Sequence, residues 1–121
     1  MSHLALWPAQ MPVYLHRVPV DFRKQINGLA VLVSESMTLD PFKPALYVFT
    51  NGARNRVKVL YWDAQGFCLW LKRLEKGQFV WPLAAKGDVV ALSGDQLNWL
   101  IGGYDIFRFP PHAALKFSAI T

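Results

Sequence analysis

Apolar residues in the first third of the chain recur first with the period of a strand and then with that of a helix. Residues 13–18 alternate as in a short strand, with Val13, Leu15 and Arg17 on one side and Tyr14, His16 and Val18 on the other. Pro19 ends this predicted strand. Asp21 then fits the N-cap of a helix, which we expect to end near Met37, before Asp40-Pro41. The apolar stripe of this predicted helix is Phe22, Ile26, Leu29, Ala30 and Val33.

Three apolar runs follow, at residues 45–50, 56–62 and 67–74. The turns between them start at Asn51-Gly52, a dipeptide suited to positive backbone torsions, and at Asp63-Ala64-Gln65-Gly66. Connections this short predict an antiparallel meander. Because nearly every residue of the runs is apolar, we expect both faces of the sheet to be covered, one of them by the helix.

Shorter elements are predicted in the last third of the chain. Residues 78–81 suit a fourth strand that stops at Pro82, and residues 88–92 suit a fifth. Ser93-Gly94-Asp95-Gln96 has the capping-box pattern and predicts a short helix closed by Gly102-Gly103.

These elements predict an α+β fold. Its core is a small antiparallel β-meander of four to five strands, with one main helix packed on it and a short C-terminal helix. A chain of 121 residues suits one domain. Within it we expect an irregular N-terminal arm at residues 1–12, a core at 13–105 and an irregular tail at 106–121.

Composition and charge favour a binding protein. Apolar residues make up 53% of the chain and charged residues only 17%, which leaves more apolar surface than a small monomer hides easily. The net charge is +5, and residues 17–86 carry eleven basic against five acidic side chains. This bias favours a polyanionic partner such as nucleic acid.

Several other classes of protein are not indicated. Cys68 is the single cysteine and cannot form an internal disulfide, and His3, His16 and His112 lack the spacing of a metal site. Neither a signal peptide nor an apolar run long enough to span a membrane is evident. We therefore expect a soluble, cytoplasmic protein with no metal, no cofactor and no membrane partner.

The acidic residues do not suggest catalysis. Nearly all of them suit helix caps or turns, and no nucleophile, zinc or phosphate-loop motif is present. The sequence therefore predicts no catalytic residue and no enzymatic activity.

Basic residues cluster around the turns. If the meander forms, alternate turns meet at one end of the sheet, so the loop at residues 51–56 and the loop at 75–77 come together. Such a patch can hold DNA phosphates with little regard to base sequence, although loop charges exposed to solvent would give the same pattern. The candidate nucleic-acid contacts are Arg23, Lys24, Arg54, Arg56, Lys58, Lys72, Arg73 and Lys76.

Aromatic residues on the strands allow a second kind of contact. Tyr61, Trp62, Phe67 and Trp70 could stack on unpaired bases, although aromatic residues on strands more often belong to the core.

Eight short motifs follow one another along the chain. They are Phe22-Arg23-Lys24-Gln25-Ile26-Asn27-Gly28-Leu29, Leu39-Asp40-Pro41-Phe42, Leu46-Tyr47-Val48-Phe49, Val57-Lys58-Val59-Leu60-Tyr61-Trp62-Asp63, Gly66-Phe67-Cys68-Leu69-Trp70, Lys72-Arg73-Leu74-Glu75-Lys76-Gly77, Trp81-Pro82 and Gln96-Leu97 with Gly102. In this order they resemble the motifs of a known family, the TnpB-type accessory proteins encoded by the second open reading frame of insertion-sequence-sixty-six transposons. The resemblance covers about residues 13–105. Two departures from the family are a less basic hairpin turn, Asn51-Gly52-Ala53-Arg54-Asn55, and Phe22 in place of Met before Arg23-Lys24.

The resemblance implies a non-catalytic helper of DNA transposition in a bacterial mobile element, encoded beside a separate and larger transposase. Three functions stay open. The protein binds DNA non-specifically, docks the transposase, or does both; it is purely a protein-binding scaffold; or it binds single-stranded nucleic acid and regulates the element. Self-association of the chain is also left open.

Overall fold

The computed structural model describes residues 6–108. Residues 1–5 and 109–121, which include His3, His112 and most of the predicted tail, lie outside the described residues. Five strands form one sheet, and two helices complete the fold, which confirms the α+β class. In chain order the elements are β1 (Pro12–His16), α1 (Ile26–Glu35), β2 (Leu46–Thr50), β3 (Arg56–Trp62), β4 (Phe67–Arg73), β5 (Val89–Ser93) and α2 (Gly94–Ile101).

The sheet is mixed, with the strand order β4-β3-β2-β1-β5. The pairs β2–β3, β3–β4 and β1–β5 are antiparallel, so the predicted meander and its β3–β4 hairpin are confirmed. The pair β1–β2 is parallel, so the expectation of a purely antiparallel sheet was wrong. The cause of the parallel pairing is α1, which lies between the two strands in sequence and returns the chain to the end where β1 began.

Both faces of the sheet are covered, as the apolar strands predict. On the α1 face, Leu29 and Val33 of the helix bury against Tyr47, Phe49 and Leu60. The other face, here called the α2 face, packs α2 and residues of the N-terminal arm against alternate residues of the same strands. The buried residues of this second cluster include Val13, Val48, Val57, Val59, Leu97 and Leu100.

The main helix begins four residues later than an N-cap at Asp21 would give. Its N-cap is Gln25, and the helix ends at Glu35. Asp21 instead stabilises a turn, because its Oδ1 accepts a hydrogen bond of 2.9 Å from the backbone N–H of Arg23. The predicted N-cap is therefore wrong, although the buried positions of the stripe, Leu29 and Val33, are correct.

Residues 78–81 do not form the predicted fourth strand. Phe79 and Trp81 are buried in the core of the α2 face. However, the N–H of Phe79 donates to the carbonyl of Arg54 in a turn, at 2.7 Å. The indole N–H of Trp81 donates to the carbonyl of His16 at 3.1 Å. The segment is therefore fixed by loop and side-chain contacts and joins no ladder.

The local signals at α2 were correct. Ser93 and Gln96 form the reciprocal capping box, and Gly102 is the C-cap.

In the β2–β3 turn, the residue with positive φ is Arg54, at 57°, and not Gly52. Within residues 6–108, neither helix is long and apolar enough to cross a membrane.

Candidate nucleic-acid interface

Three segments that carry basic side chains meet at one end of the sheet. They are the turn at residues 21–25 before α1, the β2–β3 turn, and the chain just after β4. We call the six surface residues of these segments the basic end; only two carboxylates, Asp21 and Glu75, lie in the same segments. The basic end comprises Arg23, Lys24, Arg54, Arg56, Arg73 and Lys76.

Hydrogen bonds to backbone carbonyls join the β2–β3 turn to the chain after β4. The N–H of Leu74 donates to the carbonyl of Asn55 at 2.7 Å, and Gln78 Nε2 donates to the carbonyl of Ala53 at 2.9 Å. On the strands, Arg56 and Arg73 are direct cross-strand partners. The predicted meeting of the two turns is therefore confirmed.

Lys58 connects the turn at residues 21–25 to the sheet. Its side chain is only 5% exposed, and its Nζ donates to the carbonyls of Phe22 and Lys24 at 3.0 and 2.8 Å. The ammonium also lies 4.7 Å from the centre of the Phe22 ring. Burial, with a smaller contribution from Arg56, lowers the pKa of Lys58. Its donors are thus used within the fold, beneath the basic end.

Lys72 lies on the opposite face from Arg73, because successive residues of a strand point to opposite faces. Its Nζ donates to the carbonyl of Ile101 at 2.9 Å, at the C-terminal end of α2. A cation at this position also interacts favourably with the helix dipole. Of the eight predicted contacts, the structure therefore brings six together at the surface and gives Lys58 and Lys72 partners inside the fold.

Two residues of the basic end are paired with carboxylates. Arg23 contacts Asp21 at 2.6 Å, and Arg73 contacts Glu75 at 3.0 Å; all four side chains are substantially exposed. The hydrogen bonds from Arg23 lower the pKa of Asp21 to about 2, so this carboxylate is ionised at neutral pH. Exposed pairs of this kind are weak and exchange partners readily.

A shallow cavity of about 350 Å³ lies beside the basic end on the α1 face, between the start of α1 and β4. Residues Phe22, Gln25, Arg56, Lys58, Leu69 and Leu71 line it. At the adjacent N-terminus of α1, no side chain caps the helix and no acidic residue occupies the first turn. The positive end of the helix dipole therefore adds to the field of the basic residues.

The opposite end of the sheet has the opposite charge. It carries Glu35, Asp40, Asp63 and Asp95, with Lys43 as its basic residue among those described. Arg17 and Lys86, which were not among the predicted contacts, lie at the same end of the sheet as the basic end, beside β5. Arg17 donates to the carbonyls of Leu83 and Gly87, whereas Lys86 is exposed. The position of β5 next to β1 brings them there, and no local pattern signals it.

The candidate aromatic contacts do not share a surface. Tyr61 and Trp70 lie on the α2 face, where the ring of Trp7 packs edge-on against both, at 5.8 and 5.6 Å. Trp62 lies on the α1 face at the opposite end from the basic residues, in edge contact with Phe42 and Phe67. The rings therefore do not form one stacking platform.

Histidine, cysteine and carboxylate side chains are the usual ligands of metal ions in proteins. Within residues 6–108, no three of these groups come close enough to hold a metal ion. Asp63 instead accepts hydrogen bonds from the backbone of its own turn and from the Cys68 thiol, 3.5 Å away.

Comparison with known proteins gives two curated relatives and one family. The chain is 41% identical to the uncharacterised protein y4hO of Sinorhizobium fredii and 36% identical to y4jC of the same strain. Each match spans 90 residues, which is 74% of this chain and 76% of the relative. No solved structure matches. The family model described as IS66 Orf2 like protein matches residues 11–110. The chain therefore belongs to the IS66 Orf2-like family, and its role is an accessory one in the transposition of insertion sequences.

Proposed function

We propose that the protein assists transposition by holding duplex DNA through phosphate contacts at its basic end. The observation that carries the proposal is the gathering of six basic side chains from three separate segments at one end of the sheet. Five of the six are exposed and Arg54 is half-buried. Arg23, Lys24 and Arg56 lie beside the uncapped N-terminus of α1, while Glu35, Asp40, Asp63 and Asp95 lie at the opposite end of the sheet. Such a surface attracts the DNA backbone and does not distinguish bases.

The test is the salt dependence of duplex DNA affinity for wild-type protein and single alanine variants. Each neutralised phosphate contributes about −0.9 to the slope of log affinity against log salt, so Lys24→Ala and Arg56→Ala should each flatten the slope by about one unit. Both variants should weaken binding to unrelated sequences alike. Lys43→Ala, an exposed lysine at the opposite end, is the matched control and should leave the slope unchanged. A slope near zero, or equal effects of Lys43→Ala and Arg56→Ala, would refute the proposal.

A second candidate function is docking of the element's transposase, and an apolar groove on the α2 face favours it. The groove has a volume of about 630 Å³ and lies between residues 80–85, β5 and residues 105–108. Leu83 at its rim is 40% exposed. If the groove binds transposase, Leu83→Asp should abolish capture of the protein by the transposase in a pull-down, with and without end DNA. Capture by wild-type and Leu83→Asp protein to the same extent would rule the groove out.

A further inference from the structure

The outer edge of β4 is open. β4 is the terminal strand of the sheet, and within residues 6–108 no segment pairs with it on the side away from β3. The outward N–H and C=O groups of such a strand form a template for another strand. Natural edge strands commonly carry proline, charges or bulges that prevent this pairing. β4 instead begins with five apolar residues in succession, Phe67-Cys68-Leu69-Trp70-Leu71.

We infer that β4 pairs antiparallel with β4 of a second copy of this chain, which forms a two-fold symmetric dimer with a continuous ten-stranded sheet. The inference concerns self-association and does not depend on the proposed DNA binding. A second copy of β4 is the partner strand that we infer for the open edge, because the residue pattern of β4 is complementary to itself when two copies run antiparallel.

The apolar contacts fit this register. With full overlap of the two strands, Trp70 lies opposite Trp70 of the second copy, and Leu71 lies opposite Leu69. Leu71 is 55% exposed in the single chain, although it lies on the α1 face where its strand neighbour Leu69 is half-buried. Two Leu71–Leu69 pairs would therefore form one apolar cluster across the two-fold axis, in the arrangement that stabilises neighbouring strands.

The charges fit the same register. In this register residues 73–76 lie opposite residues 64–67 of the second copy, next to its Asp63. Two basic side chains, Arg73 and Lys76, and one carboxylate, Glu75, thus face the single carboxylate of Asp63 at each end of the paired strands. A parallel arrangement would place Arg73 against Arg73 and is unfavourable. The other edge strand, β5, is only five residues long and offers no such match of charges.

The experiment is a measurement of mass by sedimentation equilibrium over a concentration series, without DNA. The wild-type protein should approach twice its chain mass of 13.7 kDa. Leu71→Lys places like charges across the two-fold axis and should weaken association at least tenfold. Leu83→Lys, the same substitution at another exposed leucine, is the matched control and should dimerise as the wild type does. A wild-type protein that stays monomeric, or a Leu71→Lys variant that dimerises fully, would overturn the inference.

Two further measurements cover the case in which Leu71→Lys disturbs the fold. Lys76→Glu changes only an exposed turn residue, and it should also weaken the dimer because Asp63 of the second copy then repels it. Amide hydrogen exchange of the wild-type protein should show alternate β4 amides that become protected as concentration rises, while those of β5 do not. Exchange at β4 that is independent of concentration would contradict the inference, whatever the variants show.

Discussion

The buried ammonium of Lys58 donates to the backbone carbonyl of Lys24 at 2.8 Å, so one lysine positions another. Lys24 itself is exposed, two residues before α1 begins. In the proposed function, Lys58 is a positioning residue and Lys24 is one of the phosphate contacts. Substitution of Lys58 should therefore affect stability, whereas substitution of Lys24 should affect DNA binding.

Lys58→Met should lower the free energy of unfolding by about 2 kcal/mol, because two backbone carbonyls lose their shared donor in a buried position. Urea denaturation measures this change. Lys76→Met, at an exposed position, should change stability by less than about 0.5 kcal/mol. If Lys58→Met proved as stable as the wild type and lost DNA affinity as Arg56→Ala does, Lys58 would be a phosphate contact and the assigned role would be wrong.

Asp21→Asn should strengthen DNA binding. The pKa of Asp21 is lowered to about 2 by Arg23, so the carboxylate is charged throughout the neutral range and would repel phosphates bound at the basic end. Removing one charge about 6 Å from a phosphate in high dielectric should raise affinity about threefold at low salt. The gain should be the same at pH 6 and pH 8. Glu35→Gln, at the opposite end, serves as control, and an equal gain there would mean that only the net charge matters.

Trp70→Ala should destabilise the fold without altering DNA affinity. Trp70 packs against Trp7 within the core of the α2 face, and its loss should cost about 3 kcal/mol. Thermal denaturation and single-strand and duplex affinities should be compared with those of Trp62→Ala. Reduced affinity for single-stranded DNA in either variant, with stability preserved, would support base stacking instead.

Gly94→Ala should release the N-terminal arm. A Cβ at Gly94 would lie 1.8 Å from the carbonyl oxygen of Pro8, so the backbone of the arm must move. We expect a loss of about 2 kcal/mol in stability and a red shift of tryptophan fluorescence as Trp7 becomes exposed. Gly66→Ala meets no atom within 4 Å and should change neither quantity. A Gly94→Ala spectrum identical to that of the wild type would show that the arm does not pack here.

The sequence predicts those elements whose causes are local. The β3–β4 hairpin follows from a short turn between apolar runs, and the capping box of Ser93 and Gln96 lies within four residues. The start of α1 could not be predicted in this way. The turn after Asp21 is held by Lys58, more than thirty residues later, and no periodicity reveals that contact. The parallel pairing of β1 with β2 likewise depends on the crossover through α1.

The part of the candidate site that lies on turns could be predicted from the sequence. Alternate turns of a meander lie at the same end, which correctly grouped Arg54 and Arg56 with Arg73 and Lys76. The roles of the two lysines on strands, Lys58 and Lys72, could not be predicted, because each role depends on the face that the lysine occupies and on what covers that face. Lys58 points under residues 21–25, and Lys72 points to the end of α2. These partners lie in the turn before α1 and at the end of α2, far away in sequence, and only the tertiary packing determines them.

Chemical-shift mapping by NMR with an unlabelled DNA duplex tests the central claim most directly. If the basic end holds DNA, the amide shifts that change on titration should concentrate at residues 22–25, 52–56 and 73–77 and should decrease together as salt is raised. The turn at residues 63–66 and the segment at 40–43 should be unaffected. Changes centred on those segments, or on the groove near Leu83, would contradict phosphate binding at the basic end.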